Sequence, residues 1–274
     1  DALPILQWCQ PGVKDWVRFR DGFRMDRIYS QMGYVFAKHI FGIKGSYAVD
    51  PQKGAVVMTL TTQGDVPIHY TLDGSEPTAA SPRYTGPVEI GKSARFRATA
   101  LREGGENASY SREFAFSKST GRPAVLNTKP NDSYTFEGAS LLVDGYHSRP
   151  VFTSGAWLGY LDEPLDVTID MGGEQSYRSV ELETLAEKGD WIFPPSSVTV
   201  WVSDNGTDFT EVASVAVPEA KAGDADGIGR YRMQFPETSA RYLKVVAQNA
   251  AAIPAWHPGA GSKGFLFVDE VVVE

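Results

Sequence analysis

Cysteine is almost absent from this chain: Cys9 is the single thiol in 274 residues. An internal disulfide needs two thiols and a cysteine-based zinc site needs more, so neither can hold this fold together. Basic clusters are missing as well. Acidic residues outnumber basic ones by 34 to 26, for a formal net charge of -8, and no run of Lys or Arg supplies a stripe that would track phosphates, which excludes nucleic acid as an expected partner. No apolar run approaches the roughly 20 residues that span a bilayer, so membrane insertion is not expected. No charged leader with a cleavage site opens the chain, and any targeting signal is missing or already removed. The four histidines, His39, His69, His147 and His257, are scattered without an i,i+4 pair or a His-Glu-X-X-His helix, and no Gly-X-Ser-X-Gly elbow occurs. Zinc hydrolysis and serine acyl chemistry drop out.

What is present reads as three segments of different grammar, in a chain long enough for more than one core. From Lys14 to Phe41, apolar Trp16, Val17, Phe19, Phe23, Ile28, Tyr29, Met32, Phe36 and Ile40 recur at mostly helical spacing. This is the only convincing helix. From about residue 43 to 117 the pattern changes to short alternating strands, expected at 56–61, 68–72, 94–101 and 112–116. Between them lie turn clusters such as Asp73-Gly74-Ser75-Glu76-Pro77 and Thr85-Gly86-Pro87. Asp73 and Glu76 form an acid pair on paper, but turn formation explains both. A small β-sandwich is expected here.

Gly121-Arg122-Pro123 reads as a linker, after which strands are expected at 165–171, 177–185, 197–203, 209–217, 230–235, 241–248 and 265–273. Ser203-Asp204-Asn205-Gly206-Thr207 is a hairpin connection. Seven or eight strands with long aromatic-bearing loops predict a jelly-roll sandwich. Asn107, Asn131 and Asn205 open Asn-X-Ser/Thr triplets, for which turn chemistry is a sufficient reason.

Trp256-His257-Pro258-Gly259-Ala260-Gly261, just before the final strand, places an aromatic and an imidazole on a Pro/Gly-shaped loop. Loops fixed on rigid sheets are where binding residues gather. Sugar recognition needs a flat apolar surface for one pyranose face and a few polar groups for hydroxyls. Trp157, Tyr160, Trp191, Phe193 and Trp256 all lie in or beside loops, with His147, Arg149 and His257 as hydrogen-bonding partners. Tryptophans between Pro and Gly also plug the ends of sandwiches, and that alternative stands for each of these aromatics. Trp201 alternates within a strand and reads as core or sheet surface.

Ile68-His69-Tyr70-Thr71-Leu72-Asp73-Gly74-Ser75-Glu76-Pro77-Thr78, with Tyr84-Thr85-Gly86-Pro87 after it, resembles the fibronectin-III-associated module behind the catalytic barrel of bacterial β-N-acetylhexosaminidases (chitobiases). The third segment resembles a factor V/VIII C-type, discoidin-like domain, the fold of family 32 carbohydrate-binding modules. The residues that carry this are Leu142-Val143-Asp144-Gly145, Gly155-Ala156-Trp157-Leu158-Gly159-Tyr160, Trp191-Ile192-Phe193-Pro194, 198–206 and 256–270. Residues 7–42 are similar to the last helix of a glycoside hydrolase family 20 barrel. The resemblance implies a mainly β chain: a helical barrel remnant at 1–43, a β-sandwich at 44–120 and a discoidin-like jelly roll at 121–274.

Family 20 enzymes use the sugar's own acetamide as nucleophile and stand outside the usual two-carboxylate scheme. The family's acid pair lies in a His-X-Gly-Gly-Asp-Glu motif. The adjacent Asp-Glu pairs here, Asp162-Glu163 and Asp269-Glu270, do not follow Gly-Gly, and residues 1–43 are too few for a barrel of about 250 residues. No glycosidase activity is expected from this chain alone. The resemblance implies instead the non-catalytic C-terminal region of a hexosaminidase-like protein, outside the cytoplasm. It would bind glycans containing N-acetylhexosamine or galactose, or else serve as an appendage packed on an upstream catalytic domain or partner without sugar affinity. It implies no required cofactor, but a structural calcium held by Asp144 and Glu270, whose hard oxygens suit that ion.

Overall fold

The computed structural model describes residues 42–62, 66–101 and 107–274. The helix expected at 14–41 lies outside the described residues. Regular structure among the described residues consists of thirteen strands and short 3-10 turns. Two compact units emerge, one built from residues 59–87 and 95–111 with the described residues before 47, the other from 47–58, 88–94 and 112–274.

In the first unit β3 (Ile68–Thr71) lies antiparallel to β5 (Ala94–Ala100), with Ile68 opposite Ala100 and Thr71 opposite Arg97. Strict alternation puts Phe96 and Ala98 inside, and Tyr70 stacks on Phe96 at 5.7 Å. Asp73 forms a turn: its Oδ1 accepts from the Ser75 amide at 3.0 Å and the Ser75 hydroxyl at 2.6 Å, while Gly74 takes φ +82. Glu76 pairs with Arg97. Both acids of the paper pair are thus spent on local structure.

In the second unit, β2 (Ala55–Thr61) pairs with β4 (Val88–Ile90) through Val56 opposite Ile90. Tyr47 lies on β1 (Lys44–Asp50), and β6 (Ala108–Phe114) ends on the buried Phe114. Most of this unit is one seven-stranded sheet. It contains β7 (Ala124–Leu126), β8 (Leu158–Tyr160), β9 (Leu165–Ala186), β10 (Ser197–Ser203), β11 (Thr210–Ala216), β12 (Gly227–Gln248) and β13 (Leu266–Val273). The order is β11-β10-β12-β9-β13-β8, with β7 beside β9.

The sequence predicts two strands each where β9 and β12 run continuously for 22 residues. Both bend instead of breaking. Gly172 at φ +80 interrupts β9, and the β9–β12 register shifts between Gln234 and Thr238 and again between Ala240 and Tyr242. Pro236 sits in that gap, where a missing N–H costs no ladder bond. Bending lets each ribbon serve two leaves. Leu165, Val167 and Ile169 then share one core with Val180, Leu182, Leu243, Val245, Val268 and Val271, a sandwich closed by long strands that change leaf.

The expected linker is not slack. Ser119, Thr120 and Gly121 are buried, Ser119 donates to the Val271 carbonyl at 2.5 Å, and Gly121 donates to Val143 at 2.8 Å. A Cβ on Gly121, which has φ +76, would meet the Gly54 carbonyl carbon at 2.5 Å, so glycine is required by space as well as by conformation.

Candidate functional site

Two clusters in the second unit hold side chains that the core does not explain. The first lies at a β-bulge. Val268 faces Thr184 and Val271 faces Leu182, so Asp269 and Glu270 together oppose the single Glu183. All three carboxylates are buried, as is Asp144. The 143–149 loop folds over them and supplies donors: Gly145 N–H to Glu270 Oε1 at 3.2 Å, Tyr146 N–H to Asp144 Oδ1 at 2.7 Å, and Ser148 N–H to Asp269 Oδ2 at 2.7 Å. The Tyr47 hydroxyl donates to Asp144 Oδ2 at 3.1 Å, and the Arg112 guanidinium lies 4.1 Å from the Tyr146 ring centre.

Glu183 is the member with cations. Arg230 Nε donates to its Oε1 at 2.5 Å, and His147 Nδ1 stands 3.0 Å from Oε2 at ion-pair distance but out of hydrogen-bond alignment. Burial opposes its charge, yet His147 and Arg230 hold the carboxyl below its ordinary value. For the other three, burial wins. Burial pushes Asp144 up to about 7 against the pull of its donors. Asp269 and Glu270 are raised by burial and then by the neighbouring acids. Glu270 Oε2 is sealed from solvent with no partner.

The second cluster is the rim formed by the 187–196, 217–226 and 249–264 loops. The Lys188–Asp190 turn ends on Trp191, whose backbone is left-handed at φ 64. For a bulky side chain that conformation costs about 1–3 kcal/mol and persists only where surroundings impose it. They do so here from both sides. Ile192 is bridged to Glu187 and Phe265, and Lys188, nearly buried, pairs with Asp226. The indole of Trp191 lies over Gly259, where a Cβ would come within 2.8 Å of the ring.

His257 sits at the centre of this rim, edge-on to Trp191 (6.0 Å, 89°), Phe193 (5.5 Å, 86°) and Trp256 (5.6 Å, 84°). Its Nδ1 accepts from the Gly259 amide at 3.1 Å, which leaves Nε2 to carry the ring proton. That atom has no partner among the described residues and is not sealed from solvent. Trp256 donates its indole N–H to the Ala220 carbonyl at 2.9 Å, while no described residue accepts the N–H of Trp191. Trp191 and Trp256 are 42% and 40% exposed. Two half-exposed indoles therefore stand over a packed base, with no described residue accepting from Trp191 Nε1 or from Nε2 of the buried His257.

The structure divides the expected site residues into separate places. Trp191, Phe193, Trp256 and His257 come together at the rim, with Phe193 buried beneath the others. Trp157 and Tyr160, expected as sugar contacts, are fully buried. Trp157 packs with Leu185, Ile192 and Phe267 and donates to the Arg149 carbonyl at 2.9 Å, so it closes the sandwich end; Tyr160 belongs to the main core. His147 is engaged with Glu183 at the bulge and not at the rim, and Arg149 is exposed. Asp144 and Glu270 share the bulge cluster, where burial first and then the charge of Asp144 raise Glu270. Trp201 lies half-buried on β10 opposite Lys244.

Two members of the bulge cluster were not among the expected site residues: Asp269 and Glu183. The signal for the first was an acid pair inside an apolar strand, Val268-Asp269-Glu270-Val271, where alternation permits only one of two neighbours to face the core.

The family model for the F5/8 type C domain matches residues 127–263, half of the chain, and the chain belongs to that family. The model for the chitobiase/β-hexosaminidase C-terminal domain matches residues 45–112. No curated protein matches the chain. Among solved structures it is similar to chitosan-binding module 1 of a chitosanase/glucanase from Paenibacillus sp. IK-5, at 17% identity over 58% of this chain and 98% of that one, with a TM-score of 0.38. It is also similar to CpGH89CBM32-5 from Clostridium perfringens, solved in complex with GalNAc-β-1,3-galactose (16%, 56% and 94%, 0.38). A Streptococcus pneumoniae fucose binding module is similar at 22% identity (58% and 94%, 0.37).

Proposed function

We propose that the F5/8 type C domain of this chain is a glycan-binding module and that its ligand lies on the Trp191–His257–Trp256 rim. One observation carries this reading: two exposed indoles are held against a common imidazole, one of them by a backbone conformation that stability alone would not select. A pyranose has an apolar face for an indole and hydroxyls for the N–H groups of Trp191 and His257. The rim aromatics are exposed within their own domain, which favours recognition over an appendage whose loops serve only packing.

The match at 45–112 supports placing the module in the C-terminal region of a β-N-acetylhexosaminidase-like protein acting outside the cytoplasm. N-acetylhexosamine and galactose are the sugars that such a context suggests. Calcium belongs to the same proposal as a structural ion at the bulge. Asp144 and Glu270 fit it as hard oxygen donors, and Glu270 Oε2 is a buried acceptor without a donor. Among the described residues no three His, Cys, Asp or Glu side chains converge on one point, so backbone carbonyls or water would complete the shell. When bound, the ion supplies positive charge that lets both carboxylates stay ionised.

Calorimetric titration with N-acetylglucosamine, galactose and chito-oligosaccharides tests the glycan reading. Saturable binding that Trp256→Ala and Trp191→Ala each weaken is expected. No saturable binding by the parent chain to any of these overturns it.

A further inference from the structure

The bulge cluster draws one of its donors from far outside the loop that covers it. Alternation along β1 turns Gly45, Tyr47 and Val49 away from solvent, and the Tyr47 hydroxyl reaches Asp144 Oδ2 at 3.1 Å across 97 residues of sequence. Its ring is held on three sides, edge-on to Phe114 (5.3 Å, 79°), tilted on Tyr146 (5.9 Å, 59°) and beneath the Arg112 guanidinium at 5.2 Å. Such a phenol does not swing freely. Burial first, and then the charge of Asp144, push its hydroxyl well above the ordinary tyrosine range, so it keeps its proton and donates. The 143–149 loop is braced from the same segment of chain as Phe114: Ala115 donates to the Gly145 carbonyl at 2.7 Å, and a Cβ on Gly145, at φ +70, would meet Thr120 Cγ2 at 2.9 Å.

Tyr47 and Arg112 lie in the segment that matches the chitobiase/β-hexosaminidase C-terminal domain, at 45–112, whereas Asp144 and Tyr146 lie in the F5/8 type C match, at 127–263. One compact unit nevertheless holds all four. A carboxylate that ligates a metal is oriented by the hydrogen bonds it accepts, and losing such a partner costs about 10- to 100-fold in metal affinity. Asp144 has one on each oxygen, from the Tyr146 amide on Oδ1 and from Tyr47 on Oδ2, which leaves lone pairs on both for a cation. We infer that Tyr47 is a positioning residue for calcium at the bulge: its hydroxyl fixes the orientation of the Asp144 carboxylate, so that a strand from outside the F5/8 type C match belongs to that domain's ion site. This rests on the calcium reading of the bulge and adds a residue to it. The coupling is reciprocal, and a strand that strengthens ion binding is itself held more firmly once the ion is bound.

The test uses the full chain, stripped with EDTA and titrated calorimetrically with calcium chloride, as the parent and as Tyr47→Phe, which keeps the ring and its packing. Parent binding that the variant weakens about tenfold or more is expected. Amide exchange supplies a readout that packing alone would not move: saturating calcium should slow exchange at residues 47–50 in the parent and leave it unchanged in Tyr47→Phe. Equal affinity in the two chains overturns the assignment and leaves the calcium reading standing, as does a variant that is less stable in EDTA but binds calcium like the parent. Parent exchange at 47–50 that is indifferent to bound calcium also overturns it, and this arm needs no variant to fold. No calcium binding by the parent chain overturns both.

Discussion

The bulge and the rim use their side chains in opposite ways. At the bulge, four carboxylates are buried and three of them accept from amides of one loop, so the polar groups organise the interior. At the rim, large aromatics are left half in water above a buried base of Phe193 and His257, so apolar groups face outward. Each inverts the ordinary rule of burial, and each inversion costs free energy. The lesson is that the inverted groups, and not the aromatic loops as a class, separate candidate function from packing: Trp157 and Trp256 look alike in sequence and differ completely in surroundings.

The largest expected effect separates those two tryptophans. Trp157→Ala removes a fully buried indole and should cost about 3–5 kcal/mol of stability, seen as a large fall in the urea midpoint. Trp256→Ala should cost about 1 kcal/mol or less by the same measurement. Equal losses would erase the distinction between plug and platform.

Calcium should act on the bulge alone. At a free concentration of about 100 times its Kd it should stabilise the chain by about 2.7 kcal/mol over the same protein in EDTA, measured by thermal melting. Glu270→Gln should abolish that gain and leave glycan titrations unchanged.

In EDTA, pH should expose the same region. Asp144 binds a proton in the folded chain that the unfolded chain releases, so stability falls as pH rises from its ordinary 3.8 toward about 7. Asp269 and Glu270 are shifted in the same direction. Urea midpoints that instead rise across this window would contradict the burial of these acids as uncompensated groups, and calcium should flatten the slope.

The smallest effect concerns Trp191. Replacing it by glycine relieves a left-handed backbone and should raise stability by up to about 1 kcal/mol, seen as a higher urea midpoint, while titration shows glycan affinity weakened about tenfold or more. A variant that loses stability would mean the indole serves packing more than recognition.

Much of the fold was legible because alternation is local. The strands at 56–61, 68–72 and 94–101 were visible from period-two burial, and Asp73-Gly74 was readable as a turn from its own chemistry. The short strands β4, β7 and β8 were not: each has only three residues, too few to show a period, and the seven-residue β1 was also missed. The continuity of β9 and β12 was hidden by Gly172 and Pro236, which punctuate a sequence whether the chain stops or bends. At the rim, His257 and Trp256 stood out as candidates because Pro and Gly shape the loop that carries them. The burial of Trp157, Tyr160 and Phe193 depends on which loops cover them, which no local pattern carries. The role of Glu183 depends on the bulge across from it.

That bulge also sets the phase of the chain's end. In an uninterrupted strand the inward positions after Val268 would be 270 and 272. With the extra residue, Val271 and Val273 enter the core and Val272 is left at its edge. Deleting either acid would remove the bulge and leave Val271 and Val273 facing the core in regular alternation with Val268, whereas pairing both acids in the ladder without a bulge would turn Val272 in and its neighbours out. The bulge is thus what keeps a strand with one residue too many in phase with its partner.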